Sequence, residues 1–175
     1  LEVPLYRDNE PVWMTHAVER DADVALVELD RAAVEKQFVV QPWTLDRILP
    51  RRFRLDPGQD VFLMGYPLGF YDSRHNLPIF RHALVASAYR IPFKGAPLFL
   101  TDGDLHEGLS GSPVISKPNS MWTDEEGKTA IIAGGAYFLL GVHSGKIEKH
   151  MTNGQDIGLG AAWYPGLVED IAAQA

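Results

Sequence analysis

The sequence predicts an all-β protein, a sandwich or barrel that ends in one helix, on three observations. Short apolar or alternating runs recur from one end of the chain to the other. Gly, Pro, Asn and Asp punctuate them at short intervals, as turns between strands require. Only the last segment, residues 165–173, spaces its apolar residues for a helix, with Leu167, Val168 and Ile171 on one face.

Taken in order, residues 12–16 and 24–29 are the first two strand-like bursts, followed by 61–65, 78–87, 97–101 and 113–116. Residues 130–142 and 157–163 complete the series. The composition shifts at Leu55-Asp56-Pro57-Gly58-Gln59, which reads as a linker between residues 1–55 and 56–175. The polar stretch 117–128, with Asp124, Glu125 and Glu126, reads as an exposed loop. No internal repeat or low-complexity tract is present.

At 175 residues the chain can bury a real core, as one domain or two small ones. It is 46% hydrophobic and 22% charged, as globular proteins are, and no apolar run approaches the ~18 residues of a membrane span. A formal charge of -7 and a pI near 5.3 argue against nucleic acid as the main ligand. The basic run Arg51-Arg52-Phe53-Arg54 reads as a solvated loop. Without Cys there is neither a disulfide nor a cysteine nucleophile. That tips the compartment toward a reducing cytoplasm, although a bacterial secreted enzyme fits too. His75, His82, His106, His143 and His150 lack metal-ligand spacing, so no metal or cofactor is expected.

Gly108-Leu109-Ser110-Gly111-Ser112-Pro113-Val114 carries the clearest chemistry. A serine hydroxyl becomes a useful nucleophile only when a positioned base takes its proton. The turn that presents it must also aim backbone N–H groups at the developing oxyanion. Glycine at 108 permits a tight turn in which the Gly108 and Ser110 N–H groups converge, and Gly111 keeps the far side of the serine open. The same residues also suit a turn that merely joins two strands. The nucleophile elbow of α/β-hydrolases does not fit, because position 112 is Ser and residues 113–115 read as strand. Upstream, Asp23-Val24-Ala25-Leu26-Val27 sets an Asp at the start of an apolar strand. A desolvated carboxylate there would fix a histidine tautomer; a turn cap is the other reading, and Asp21 competes for either role.

With Trp13 and His16 ahead of that Asp, further matches follow in order: Val61-Phe62-Leu63-Met64-Gly65-Tyr66-Pro67, Leu77-Pro78-Ile79-Phe80, Val85-Ala86-Ser87, the serine motif, and Gly141-Val142-His143-Ser144-Gly145. Over essentially its whole length the chain resembles the bacterial trypsin-like serine peptidases of the chymotrypsin superfamily. Asp23 precedes Ser110 by 87 residues, against about 90 in the His–Asp–Ser template. The resemblance implies a chymotrypsin-like double β-barrel with a C-terminal helix. Residues 1–55 would be the remainder of an incomplete N-terminal barrel carrying the triad Asp. Residues 56–175 would be the C-terminal barrel carrying the nucleophile. It further implies Ser110 as nucleophile, Asp23 as the acid that orients the base, and the Gly108 and Ser110 N–H groups as oxyanion hole. The partner would be a peptide or protein substrate, not a nucleic acid or a membrane.

Two departures stand out. The template places its histidine roughly 45 residues before the Asp, which falls upstream of Leu1. His16, seven residues before Asp23, is the one histidine ahead of it, and the family has no base at that place. The expectation is therefore a preceding segment that supplies the base, and a chain that is a poor enzyme alone. Digestive enzymes carry Asp just before the serine to pair with a new N-terminus; Leu109 cannot form that ion pair.

For the substrate pocket, Gly141-Val142-His143-Ser144-Gly145 is similar to glutamyl endopeptidases and the related viral cysteine proteases, which read Glu or Gln with a histidine. The resemblance puts Ser144 beneath Asp23 and gives His143, Ser144 and Gly145 to the pocket. Asp104, six residues before Ser110, would select Lys or Arg instead if the loop kept register. The lean is to Glu or Gln through His143. The leading reading is a serine endopeptidase acting through an acyl-enzyme. A non-catalytic domain of the same fold, serving as a binding or regulatory module, is the alternative, and an esterase using the same serine is a third.

Overall fold

The computed structural model describes residues 3–147 and 153–174. The chain opens with two small antiparallel ribbons: β1 (Tyr6–Arg7) with β2 (Glu10–Pro11), and β3 (Trp13–Thr15) with β4 (Ala25–Val27). In the second ribbon Trp13 pairs with Val27 and Thr15 with Ala25, so residues 16–24 are its connecting loop. A single helical turn, α1 (Arg31–Glu35), follows because the Asp30 carboxylate accepts the Ala32 and Ala33 N–H groups and caps it. The chain then crosses to the main body through residues 44–55, where Leu49, Phe53 and Leu55 are buried.

Six of the remaining strands close into an antiparallel barrel. They are β5 (Asp60–Gly65), β6 (Ile79–Val85), β7 (Leu98–Asp102), β8 (Pro113–Ser116), β11 (Leu139–Lys146) and β12 (Leu159–Trp163), after a hairpin of β9 (Asn119–Thr123) and β10 (Thr129–Ala136) that stands beside it. The barrel order is β11-β12-β7-β6-β5-β8 and back to β11. Helix α2 (Pro165–Ala172) starts on Pro165, whose fixed φ suits a first turn, and buries Leu167 and Ile171.

Side-chain alternation explains two cores. In β5, Val61 and Leu63 point inward between half-exposed neighbours. In β7 and β12 both faces are covered, which is why they read as continuous apolar runs. Phe99 and Ala162 join Val61, Leu63, Ala83, Val85, Leu109, Val114 and Leu140 inside the barrel. Leu98, Leu100, Ala161 and Trp163 face the other way and pack with Val24, Leu167 and Ile171. This second core docks the β3–β4 ribbon on α2.

The mostly β architecture with a closed barrel and a C-terminal helix is the predicted class. Two local expectations change. The polar stretch 117–128 contains a strand, because Trp122 in β9 is buried against Phe53 and Phe138. The apolar run 130–142 is two strands, β10 and β11, broken at residues 137–138, and within β10 the positive-φ Gly134 and Gly135 form a bulge where the register with β9 shifts.

Candidate active site

Ser110 lies on the loop between β7 and β8. Leu105 and Leu109 are buried and pin that loop to the core, leaving residues 106–108 and Ser110 at the surface. Leu109 thus fills the position before the serine with apolar packing and no charge. Gly108 has φ +87, and a Cβ there would stand 2.3 Å from the Tyr66 carbonyl oxygen, so glycine is required twice over. Gly111 also has positive φ, and its N–H donates to the His143 carbonyl at 2.7 Å. The His143 N–H returns a bond to the Ser112 carbonyl at 2.9 Å, zipping the serine turn onto β11.

The turn at residues 66–69 holds the other side. The Leu68 N–H donates to the Glu107 carbonyl at 2.7 Å, and the Tyr66 N–H to the Gly108 carbonyl at 3.3 Å. In a trans peptide the carbonyl and the following N–H point in opposite directions. Anchoring the Glu107 carbonyl on Leu68 therefore points the Gly108 N–H away from the 66–69 turn. Among the described residues neither the Gly108 nor the Ser110 N–H has an acceptor. Leu68 makes this contact with φ 53, a left-handed conformation that its residue type does not advertise.

The Ser110 hydroxyl donates to the Ser144 carbonyl at 2.8 Å. Asp23 is exposed at the end of the 16–24 loop rather than desolvated, yet it borders a cavity of about 290 Å3 with Ser110, Gly111, Val142, His143 and Ser144. Ser144 thus shares a wall with Asp23, and its hydroxyl accepts from Trp163 Nε1 at 3.0 Å. A second cavity of about 580 Å3 is bordered by Ser110, His143, Gly145 and Lys146 with Leu68, Leu105, His106 and Glu107. A more apolar hollow of about 560 Å3, under Trp43 and Tyr137, contains none of these residues.

His143 separates the two site cavities and is 2% exposed. Burial pushes its pKa down to about 4, so the ring is neutral at physiological pH, with a backbone contact to Ala161 acting weakly the other way. Its Nδ1 is sealed from solvent and has no partner among the described residues, and the same holds for Thr101 Oγ1. Gly160 clears the space beside them: a Cβ there would lie 2.7 Å from Thr101 Oγ1 and 3.0 Å from the His143 ring.

Asp104 is not brought to this site. Its side chain is 83% exposed, bonded to Arg81 and 3.7 Å from His106, because the loop turns it outward while Leu105 goes in. His16 does not approach Ser110 either; its Nδ1 accepts two backbone N–H groups of its own loop. His75 pairs with Asp72 and His82 with Asp60, and no group of metal-ligating side chains gathers among the described residues. His150 lies outside the described residues. Sequence reasoning missed Leu68 and Lys146 at the large cavity. Lys146 could have been found as the residue after Gly145, whereas nothing in the Pro67-Leu68-Gly69 sequence announces an anchor for the serine turn.

Residues 4–121 match the trypsin-like peptidase domain family, a span that includes both Asp23 and Ser110. Among solved structures the chain is similar to Rv3671c from M. tuberculosis H37Rv, crystallised as the inactive form of a serine-to-alanine mutant. The identity is 21% and the TM-score 0.41, over 69% of this chain and 49% of that one. The chain thus spans about half the length of that protein. No curated protein sequence matches it.

Proposed function

The chain belongs to the trypsin-like peptidase domain family, and on that footing we propose that it is the part of a serine endopeptidase that carries the nucleophile and the orienting acid. One observation carries the reading: Ser110 and Asp23 face one cavity with room for an imidazole, beside two backbone N–H groups that have no acceptor among the described residues. The base is a histidine from sequence preceding Leu1. It takes the Ser110 proton as Oγ adds to the scissile carbonyl, and Asp23 holds its tautomer. The Gly108 and Ser110 N–H groups receive the oxyanion. The histidine then gives the proton to the leaving amine, and water hydrolyses the acyl-enzyme. Residues 1–55 serve as the remainder of an N-terminal barrel and 56–175 as the C-terminal barrel. His143, Ser144 and Gly145 wall the substrate side. Reading Glu or Gln through the neutral His143 requires its ring, 2% exposed with Nδ1 sealed from solvent, to turn toward the cavity.

The test uses the intact protein with its preceding segment. A fluorophosphonate probe should label Ser110, and Ser110→Ala should abolish the labelling. Asp23→Asn should lower kcat by about 10⁴, the cost of the wrong tautomer in the template. The competing reading, a binding module of the same fold, draws on the Ser110 hydroxyl being engaged by the Ser144 carbonyl with no histidine at it among the described residues. An unlabelled Ser110 in the intact protein would favour that module.

A further inference from the structure

The 16–24 loop brings Asp23 to the Ser110 cavity, and it has little core of its own. Val24 is its one buried residue, and Glu19, Arg20, Asp21 and Asp23 are all exposed. Its order comes from His16. That ring is 11% exposed, and Nδ1 accepts the Glu19 N–H at 2.8 Å and the Val18 N–H at 3.2 Å. Nδ1 therefore carries no proton, which leaves the ring proton on Nε2, facing Asp170 Oδ2 of α2 at 3.7 Å. Two further bonds tighten the loop, Arg20 N–H to Val18 and Ala22 N–H to Glu19. One imidazole thus ties the loop to itself, with Asp170 of α2 beside its other nitrogen.

We propose that His16 is a positioning residue, which holds Asp23 at the Ser110 cavity through the acceptor role of its Nδ1. The proposal rests on the reading of Asp23 as the acid that orients the base. From α2 the group facing the ring is Asp170. The charged groups on the loop itself are Glu19, Arg20, Asp21 and Asp23.

The experiment compares the intact protein with His16→Ala and His16→Asn. The Oδ1 of asparagine can stand where Nδ1 stands and accept the same bonds. Exchange of the Val18, Glu19 and Val24 amides, followed by NMR, should rise roughly tenfold in His16→Ala and return to the wild-type rate in His16→Asn. Peptidase kcat should fall by about tenfold in His16→Ala, with KM within about twofold, and recover in His16→Asn. Unchanged exchange at Val24 in His16→Ala, or no recovery in His16→Asn, would overturn the proposal. A wild type without Ser110-dependent turnover would instead sink the endopeptidase reading, and the amide rates alone would then decide whether His16 holds the loop.

Discussion

The two sides of the candidate site are built differently. Ser110, its Gly108–Gly111 turn and His143 hang on a closed barrel in which Phe99, Leu63, Leu109 and Leu140 are essentially without solvent contact. Asp23 hangs on a ribbon with three residues to a strand, docked on α2 through Val24, Met14 and Leu26. A closed barrel has no free edge and fixes its loops through many neighbours. A two-stranded ribbon is marginal alone and takes its order from what it packs against. The Ser110 side is therefore preformed, whereas the Asp23 side is set by a handful of contacts. Substitutions in the two regions should fail in different ways: barrel changes should alter chemistry or global stability, and ribbon changes should loosen one loop.

On the barrel side the largest effect is expected at the Gly108 turn proposed as the oxyanion hole. In Gly108→Ala the new Cβ meets the Tyr66 carbonyl at 2.3 Å, so the peptide carrying the Gly108 N–H must move. Losing one oxyanion donor costs about 100-fold or more in kcat. Steady-state kinetics on the intact protein, with circular dichroism to show an unchanged fold, would read this directly. A variant within about threefold of wild type would mean that this N–H is not a donor to the reaction.

His143 gives the next effect, a pH dependence of the barrel. Its folded pKa of about 4 lies below the ordinary 6.5, so the unfolded chain binds more protons between those values. Stability from the buried neutral ring is fully present above about 6.5 and is lost as pH falls toward 4, by roughly 3 kcal/mol at most. Urea denaturation across that window should show the slope, and His143→Gln should flatten it. Equal slopes in the two proteins would contradict the burial argument.

Arg90 tests the join between the regions. Its guanidinium donates to the carbonyls of Leu49, Pro50, Arg51 and Phe53, and so fastens the segment that leads from the ribbons to the barrel. Arg90→Met keeps much of the stem but leaves those carbonyls without their donor, a loss of about 2 kcal/mol. A lower urea midpoint with an unchanged slope is the expected result. An unaltered midpoint would mean that water replaces the guanidinium at no cost.

Much of the barrel was legible in the sequence because its strands alternate or run apolar between strong punctuators. Residues 113–116 and the 165–173 helix fall almost where the structure has β8 and α2. The serine turn was legible for a different reason: Gly108 and Gly111 sit where the backbone needs positive φ. Other parts were hidden by physics that does not show in a local pattern. Trp122 turns a polar stretch into a strand through a distant aromatic cluster. Leu68 anchors Glu107 from a left-handed conformation imposed by tertiary contact. Asp104 points outward because its neighbour Leu105 takes the buried position, a choice of loop register that spacing alone does not make.

The smallest change bears most directly on the contrast between the two sides. Val24 is 9% exposed and packs into the second core with Leu98, Trp163 and Ile171, one residue after Asp23. Val24→Ala removes two methyl groups from that contact, at about 1 kcal/mol. In the barrel such a loss would be shared by the whole cooperative unit. On the ribbon it should appear as local opening, because few other contacts hold residues 16–27 in place. Limited proteolysis should then cut within residues 17–24 several-fold faster, while the urea midpoint read by far-UV circular dichroism barely moves. Should cleavage and global midpoint shift together, the ribbon and barrel fold as one unit, and Asp23 is as firmly placed as Ser110.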